Sequence, residues 1–317
     1  VDGEAQITVM KIVVIGAGAM GSLWGARLSP LTEVWLLDRW VEHVAAMRKE
    51  GVHLIEVDGR VEVIPVRATT DPVEVGQGVD LAIIFVKSPG TTFASRLATT
   101  LLKPEGLALS LQNGLGNIEI MADVLGEARV VQGVTSHGAT LLGPGRVRHA
   151  GIGATYLATR PEIAARVQRI SELFTQAGFE THLSDDLVSL LWGKLIINAG
   201  INALTAILRL PNGVLAEVEP ASDLMAAAVV EAVRVAQAKD ITLPYDDPQA
   251  QVKQVALATG ANHSSMLTDV IRAAPTEIEF INGAIVREGQ QLGLDTPVNQ
   301  MLVWLVKAIE ATYGERL

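Results

Sequence analysis

Short apolar runs alternate with helical stretches through the first half of the chain. KIVVIG, EVWLL, VDLAIIFV, GLALSLQ and ARVVQGV are apolar throughout rather than at every second position. That pattern suits parallel strands covered on both faces, and it predicts a βαβ arrangement up to about residue 157. A second group, VTSHGAT, GRVRHAG and GATYLAT, is split by Gly143, Pro144 and Gly145. It reads as antiparallel strands closing the far edge of the same sheet. From Pro161 onward the period becomes helical: residues 162–177 predict one amphipathic helix stopped by Gly178, and after FETHLS the strand signal almost disappears. The expected fold is α/β, with an N-terminal Rossmann-type dinucleotide-binding domain over 10–182 and an all-helical C-terminal substrate and catalytic domain over 183–317.

Composition sharpens this picture. The chain has 317 residues, 49% of them apolar, which at about 150 residues per domain fits two domains, each with its own core. Lysine and arginine number 25 against 35 acids, a net charge of −10. Such a balance gives no electrostatic reason to collect on nucleic acid or an anionic membrane. There is no cysteine, so disulfides, thiolate metal sites and thiol nucleophiles are excluded, and the cytoplasm is the expected compartment. The histidines at 43, 53, 137, 149, 182 and 263 show no HxxxH or HxH spacing, and no metal site is expected.

Mean hydropathy is +0.32, which makes the longest apolar stretch worth weighing as a membrane span. Leu187–Leu208 has the length, but Lys194, Asn198 and Asn202 lie near its middle, each costly in lipid. It reads as a buried helix of a water-exposed domain. The first nine residues lack a basic segment and a continuous apolar core, so they do not read as a signal peptide. Met10 is the expected natural start, with the preceding segment an expression remnant or an upstream extension.

Chemistry concentrates in a few places. Gly16, Ala17, Gly18, Ala19, Met20 and Gly21 follow the predicted strand KIVVI and open an Ala/Leu-rich helix that Pro30 terminates. In that context Gly16 permits a tight turn, Gly18 lets the backbone approach a pyrophosphate, and Gly21 lets helix and strand pack closely. The helix N-terminus favours the phosphates. The next predicted strand ends in Asp38 and Arg39. An acid there accepts from a ribose 2′-hydroxyl, whereas an arginine grips a 2′-phosphate. NADP is expected through Arg39, with NAD as the alternative and solvated surface charges as the plainer reading of both residues. Lys87 and Asn113 follow the third and fourth strand-like runs, where open α/β sheets place ligands, although Asn113-Gly114 also reads as a turn and Lys87 as a surface lysine.

In the second half, Lys194, Asn198 and Asn202 are spaced i, i+4, i+8, which aligns them on one face of an otherwise apolar helix. Buried lysine and amides need partners, either loop carbonyls of the other domain or a substrate in a cleft between the domains. Desolvation of such a lysine lowers its pKa towards the range useful for donating a proton to the oxygen of a ketone under hydride attack. Further on, Thr276 and Glu279 predict a capping box, placing Glu277 in the first turn of a helix. There it serves either the helix dipole or a ligand.

An ordered set of segments resembles the ketopantoate reductase (2-dehydropantoate 2-reductase) family from Met10 onward. The set comprises GAGAMG at 16–21, VK at 86–87, QNGLGN at 112–117, LWGKLIINAGINALTAI at 191–207, PNG at 211–213, NHSSMLTD at 262–269 and TEIEFING at 276–283. The resemblance implies reduction of 2-dehydropantoate to D-pantoate with NADPH, in pantothenate and coenzyme A biosynthesis. By the family's pattern Lys194 is the general acid, Asn198 and Asn202 contact substrate, and Ser265 holds the substrate carboxylate. Asn113 lies at the nicotinamide edge, Glu277 bonds the substrate hydroxyl and the cofactor, and Lys87 matches the lysine after the third strand. Arg39 matches the phosphate-binding arginine, while Asp38 departs from the uncharged residue of a strictly NADPH-preferring member. The expected partner is a small 2-oxo acid, and a homodimer is the candidate assembly. Two competing readings are a family dehydrogenase for another 2-oxo acid or an imine, and a non-catalytic dinucleotide sensor, which would be expected to lose the proton donor or substrate groups retained here.

Overall fold

The computed structural model describes residues 10–315; the expectations about the first nine residues fall outside them. The chain divides into two compact units. The first runs to Val86 and adds Gly90–Gln112 and Asn117–Asp185, and the second comprises Lys87–Pro89, Asn113–Gly116 and Asp186–Leu317. Two short loops that follow strands of the first unit are therefore counted with the helical one.

The first unit is built on strands β1 (Lys11–Ile15), β2 (Glu33–Leu37), β3 (Val52–Ile55), β4 (Val61–Ile64), β5 (Arg67–Thr69), β6 (Val79–Ile84) and β7 (Leu102–Ser110). These continue with β8 (Val130–Thr135), β9 (Gly138–Gly143), β10 (Arg146–Gly151), β11 (Thr155–Ala158) and β12 (Thr181–Ser184). The main sheet has the order β12-β11-β8-β7-β6-β1-β2-β5. It is parallel from β5 through β8, and β11 then runs antiparallel to β8. Its central strands are apolar throughout because both faces are covered: Ile12, Val14, Leu81 and Ile83 enter one core, while Val13, Ile15, Ala82 and Ile84 enter another.

One expectation needs correction. Of the predicted edge group, Val134 and Thr135 end β8 and GATYLAT supplies β11, which runs antiparallel to β8 in the main sheet, with β12, from FETHLS, parallel outside it. The β9–β10 hairpin instead joins a second sheet of order β4-β3-β10-β9, with β10 parallel to β3. Burial explains the diversion: Leu141 and Val147 on the hairpin and Leu54 on β3 share a core with Leu23 and Trp24 of the helix Ala19–Leu28. Buried Glu56 accepts from His149 at 3.1 Å, and His149 meets His137 at 3.0 Å, tying the hairpin to the end of β3.

The second unit is helical. Its axis is the helix Val188–Leu208, whose Leu195, Ile196, Ala199, Ala203 and Leu204 pack with Ala228, Val229, Val252, Ile285 and Val306. This helix has the length and hydropathy of a membrane span, but most of it is buried within the protein. Asn282 and Asn299 tie the core together: Asn282 donates to the Ala199 carbonyl and to Asn299, which in turn donates to Glu231 and the Ala228 carbonyl. All three polar side chains are buried, and such groups are tolerated when bonded.

Candidate active site

The glycine turn lies between β1 and the helix Ala19–Leu28. Gly16 has φ +95°, and a Cβ there would stand 2.6 Å from the Val86 nitrogen, so the turn closes only around glycine. A Cβ on Gly21 would meet the Gly16 carbonyl oxygen at 2.0 Å. At Gly18, by contrast, a Cβ would meet nothing within 4 Å. The turn is thus tight where helix meets strand and open where a phosphate would approach the first N–H groups of the helix, at Ala19, Met20 and Gly21. These residues fit a dinucleotide pyrophosphate. At the end of β2, Asp38 accepts from the Trp40 N–H at 2.9 Å, while Arg39 is exposed.

The second unit assembles a charged cluster. Lys194 is half-buried on the long helix, and burial lowers its pKa to about 8 even though the Glu277 carboxylate pulls the other way. Glu277 is 5% exposed. One of its oxygens accepts from both the Ser88 hydroxyl, at 2.8 Å, and the Ser88 N–H, at 3.1 Å; the other lies 4.0 Å from the Lys87 ammonium. Lys87 donates to Asp269 at 2.7 Å. Burial pushes the Asp269 carboxyl up to about 6 against the pull of Lys87.

Asn113 joins through its backbone, its carbonyl accepting from the Ser88 hydroxyl at 3.4 Å. The following loop is seated on the segment after Glu277: Leu115 N–H donates to the Phe280 carbonyl at 2.9 Å, and a Cβ on Gly114 would lie 2.2 Å from that same oxygen. With φ +83°, Gly114 admits no ordinary side chain. Lys87, Asn113, Lys194 and Glu277, four of the residues singled out in the sequence, therefore gather in one unit with Ser88 and Asp269.

The remaining candidates flank this cluster. Asn198 is half-buried and Asn202 is 6% exposed, one and two turns beyond Lys194 on the same helix. Ser265 is exposed at the start of the helix Ser265–Ile271, the helix that also carries Asp269. Its neighbour Ser264 caps that helix by accepting from the Leu267 N–H at 3.0 Å, and Thr205 of the long helix donates to the Ser264 hydroxyl at 2.7 Å.

The capping box at Thr276 does not form. Glu277 precedes a single 3₁₀ turn, Ile278–Phe280, and Glu279 reaches out to Lys307 and Arg287. The helix that follows, Asn282–Gln291, begins beyond this turn, and the Glu277 carboxylate is instead engaged by Ser88 and faces Lys87, which makes it a group of the cluster. Ser88 and Asp269 were not singled out from sequence. Each stood inside a quoted or adjoining segment, but their partners lie 189 and 182 positions away, and no local spacing reports such pairs.

A glycine turn of the dinucleotide type and a desolvated lysine set beside a carboxylate define a nicotinamide-type oxidoreductase architecture. Comparison with known proteins refines that class. Residues 12–162 match the family described as ketopantoate reductase PanE/ApbA, and 186–310 match its C-terminal region. A 2-dehydropantoate 2-reductase of Halobacterium salinarum is 36% identical over 300 residues, covering 94% of this chain and 98% of that protein. Among solved structures, a PanE/ApbA family ketopantoate reductase from Ralstonia eutropha superposes with a TM-score of 0.88 at 35% identity, covering 96% of this chain and all of the other. D-mandelate dehydrogenase, in a ternary structure with NADH and anilino(oxo)acetate, gives 0.87 at 30% identity with the same coverage. The chain belongs to the ketopantoate reductase PanE/ApbA family of oxidoreductases.

Proposed function

We propose that this chain is an NADPH-dependent 2-dehydropantoate 2-reductase, converting the C2 ketone of ketopantoate to the hydroxyl of D-pantoate in cytoplasmic pantothenate and coenzyme A biosynthesis. The observation that carries the reading is the placing of Lys194 on the apolar helix Val188–Leu208 within reach of the buried Glu277 carboxylate, in keeping with a pKa lowered by burial to about 8. At neutral pH the lysine is still mostly an ammonium, yet its proton is far easier to give up than that of a surface lysine. The names of the relatives and the fit of the glycine turn support the same reading.

On this proposal residues 10–182 bind the cofactor and 183–317 carry substrate and catalysis. A bound reduced nicotinamide supplies the hydride for the substrate C2. Lys194 stabilises and protonates the oxygen as it gains charge. Glu277 accepts from the substrate hydroxyl while supporting the Lys194 charge, and Asn198, Asn202 and Ser265 offer donors for the carbonyl and carboxylate. Gly16 to Gly21 hold the pyrophosphate, and Lys87 and Asn113 complete the nicotinamide side. Arg39 favours the 2′-phosphate, whereas Asp38 favours a free 2′-hydroxyl and narrows the preference.

The resemblance to D-mandelate dehydrogenase at 30% identity favours a second reading, in which the same apparatus reduces another 2-oxo acid. One assay separates the two. Reduced-cofactor absorbance is followed with NADPH and NADH in parallel against ketopantoate, phenylglyoxylate and a panel of other 2-oxo acids. The highest kcat/KM is expected for ketopantoate with NADPH; a higher value for another acid would replace the substrate, and no turnover with any of them would remove the enzyme reading.

A further inference from the structure

Trp40 stands two residues beyond Asp38, at the start of the helix Val41–Glu50, and 39% of it is exposed although it is a large aromatic. Its ring is not loose. It stacks on the His43 ring with centroids 5.0 Å apart and planes 16° from parallel. The Trp40 backbone N–H is held by Asp38 at 2.9 Å, which fixes the root of the side chain.

His43 is completely buried, and its hydrogen bonds define its state. Nδ1 accepts from the Gly145 N–H at 2.9 Å, so that nitrogen carries a lone pair. The proton is therefore on Nε2, which donates to the Ala17 carbonyl at 2.8 Å, with the Ser22 hydroxyl bonded to the same carbonyl oxygen. Burial lowers the His43 pKa, in keeping with a neutral ring. Ala17 is the second residue of the glycine turn. One face of the Trp40 indole is thus backed by a neutral ring that is bonded to the phosphate turn itself, while the indole remains open to solvent.

We propose that Trp40 is an adenosine-binding residue, its exposed indole packing against the adenine end of the nicotinamide dinucleotide. This inference rests on the dinucleotide reading of the glycine turn and deepens it. In that reading the ribose next to the adenine lies at Asp38 and Arg39, two and one residues before Trp40. An aromatic surface there gains by stacking on the base whether or not the ribose carries a 2′-phosphate. Trp40 therefore sets overall cofactor affinity, and Arg39 sets the choice between NADPH and NADH. A held ring also loses little freedom on binding, which favours affinity.

Titration calorimetry on the wild-type chain, Trp40→Ala and Trp40→Phe tests this with NADPH, NADH, ADP-ribose and reduced nicotinamide mononucleotide. Trp40→Ala is expected to raise the Kd of the first three by a common factor of roughly tenfold, the scale of one lost base stack. Reduced nicotinamide mononucleotide, which has no adenosine, is expected to bind wild type and variant alike, and Trp40→Phe to restore most of the affinity. As a second measurement that does not depend on Trp40→Ala folding, ADP-ribose is expected to quench tryptophan fluorescence in the wild type and much less in Trp40→Phe. Unchanged Kd values in Trp40→Ala, or equal quenching in Trp40→Phe, would overturn the role of Trp40 and leave the dinucleotide reading standing. Failure of the wild type to bind NADPH, NADH or ADP-ribose would overturn both.

Discussion

Glu277 has two separable jobs, and its hydrogen bonds show how to part them. Its carboxylate holds Ser88 through the hydroxyl and the N–H, and its charge raises the pKa of Lys194 against the effect of burial. Glu277→Gln keeps an oxygen for Ser88 but loses the charge, so the Lys194 pKa should fall below about 8. In a pH profile of kcat the alkaline loss of activity is then expected at lower pH than in the wild type. Glu277→Ala is expected to raise the substrate KM as well as reduce kcat; an unchanged KM would mean that the carboxylate does not touch substrate. For Arg39, exposed at the end of β2, alanine substitution should raise the KM for NADPH far more than that for NADH. Equal effects in steady-state kinetics would show that Arg39 does not meet the 2′-phosphate.

At the scale of elements, the most demanding local geometry is the glycine turn. A Cβ at position 21 would lie 2.0 Å from the Gly16 carbonyl oxygen, a backbone atom that cannot swing aside. Gly21→Ala is therefore expected to displace the helix Ala19–Leu28 from β1 and to weaken dinucleotide binding by more than tenfold, with a fall in Tm seen by circular dichroism. Retained affinity in calorimetry would show that the turn has slack. This turn was legible in the sequence because its whole signal lies within six consecutive residues after an apolar strand. The long helix was legible for the same reason, since Lys194, Asn198 and Asn202 interrupt an apolar run at helical spacing. The destination of the β9–β10 hairpin was not, because its partner β3 lies far back in the chain and Gly-Pro-Gly marks only the turn. Nor was the loss of the capping box at Thr276, where the long-range attachment of Glu277 to Ser88 and of Glu279 to Lys307 overrides a local pattern.

The whole molecule presents an apolar face on its last long helix. Met301, Trp304 and Leu305 are 50%, 59% and 42% exposed on the helix Pro297–Ala311, at spacings that put them side by side. We propose a second copy of the chain as the cover for this face, the homodimer being the candidate assembly. Light scattering is expected to give the mass of two 33.7 kDa chains for the wild type and one for Trp304→Glu; a wild-type monomer would remove the proposal. The central claim, however, is that a desolvated lysine protonates the product oxygen, and Lys194→Ala tests it most directly. With NADPH and ketopantoate both saturating, kcat is expected to fall by roughly 10² or more, the scale of lost general acid catalysis, with little change in NADPH affinity. Wild-type kcat should hold at neutral pH and decline as pH rises through about 8, where Lys194 loses its proton. A Lys194→Ala enzyme with near-wild-type kcat, still declining through the same pH, would contradict the account.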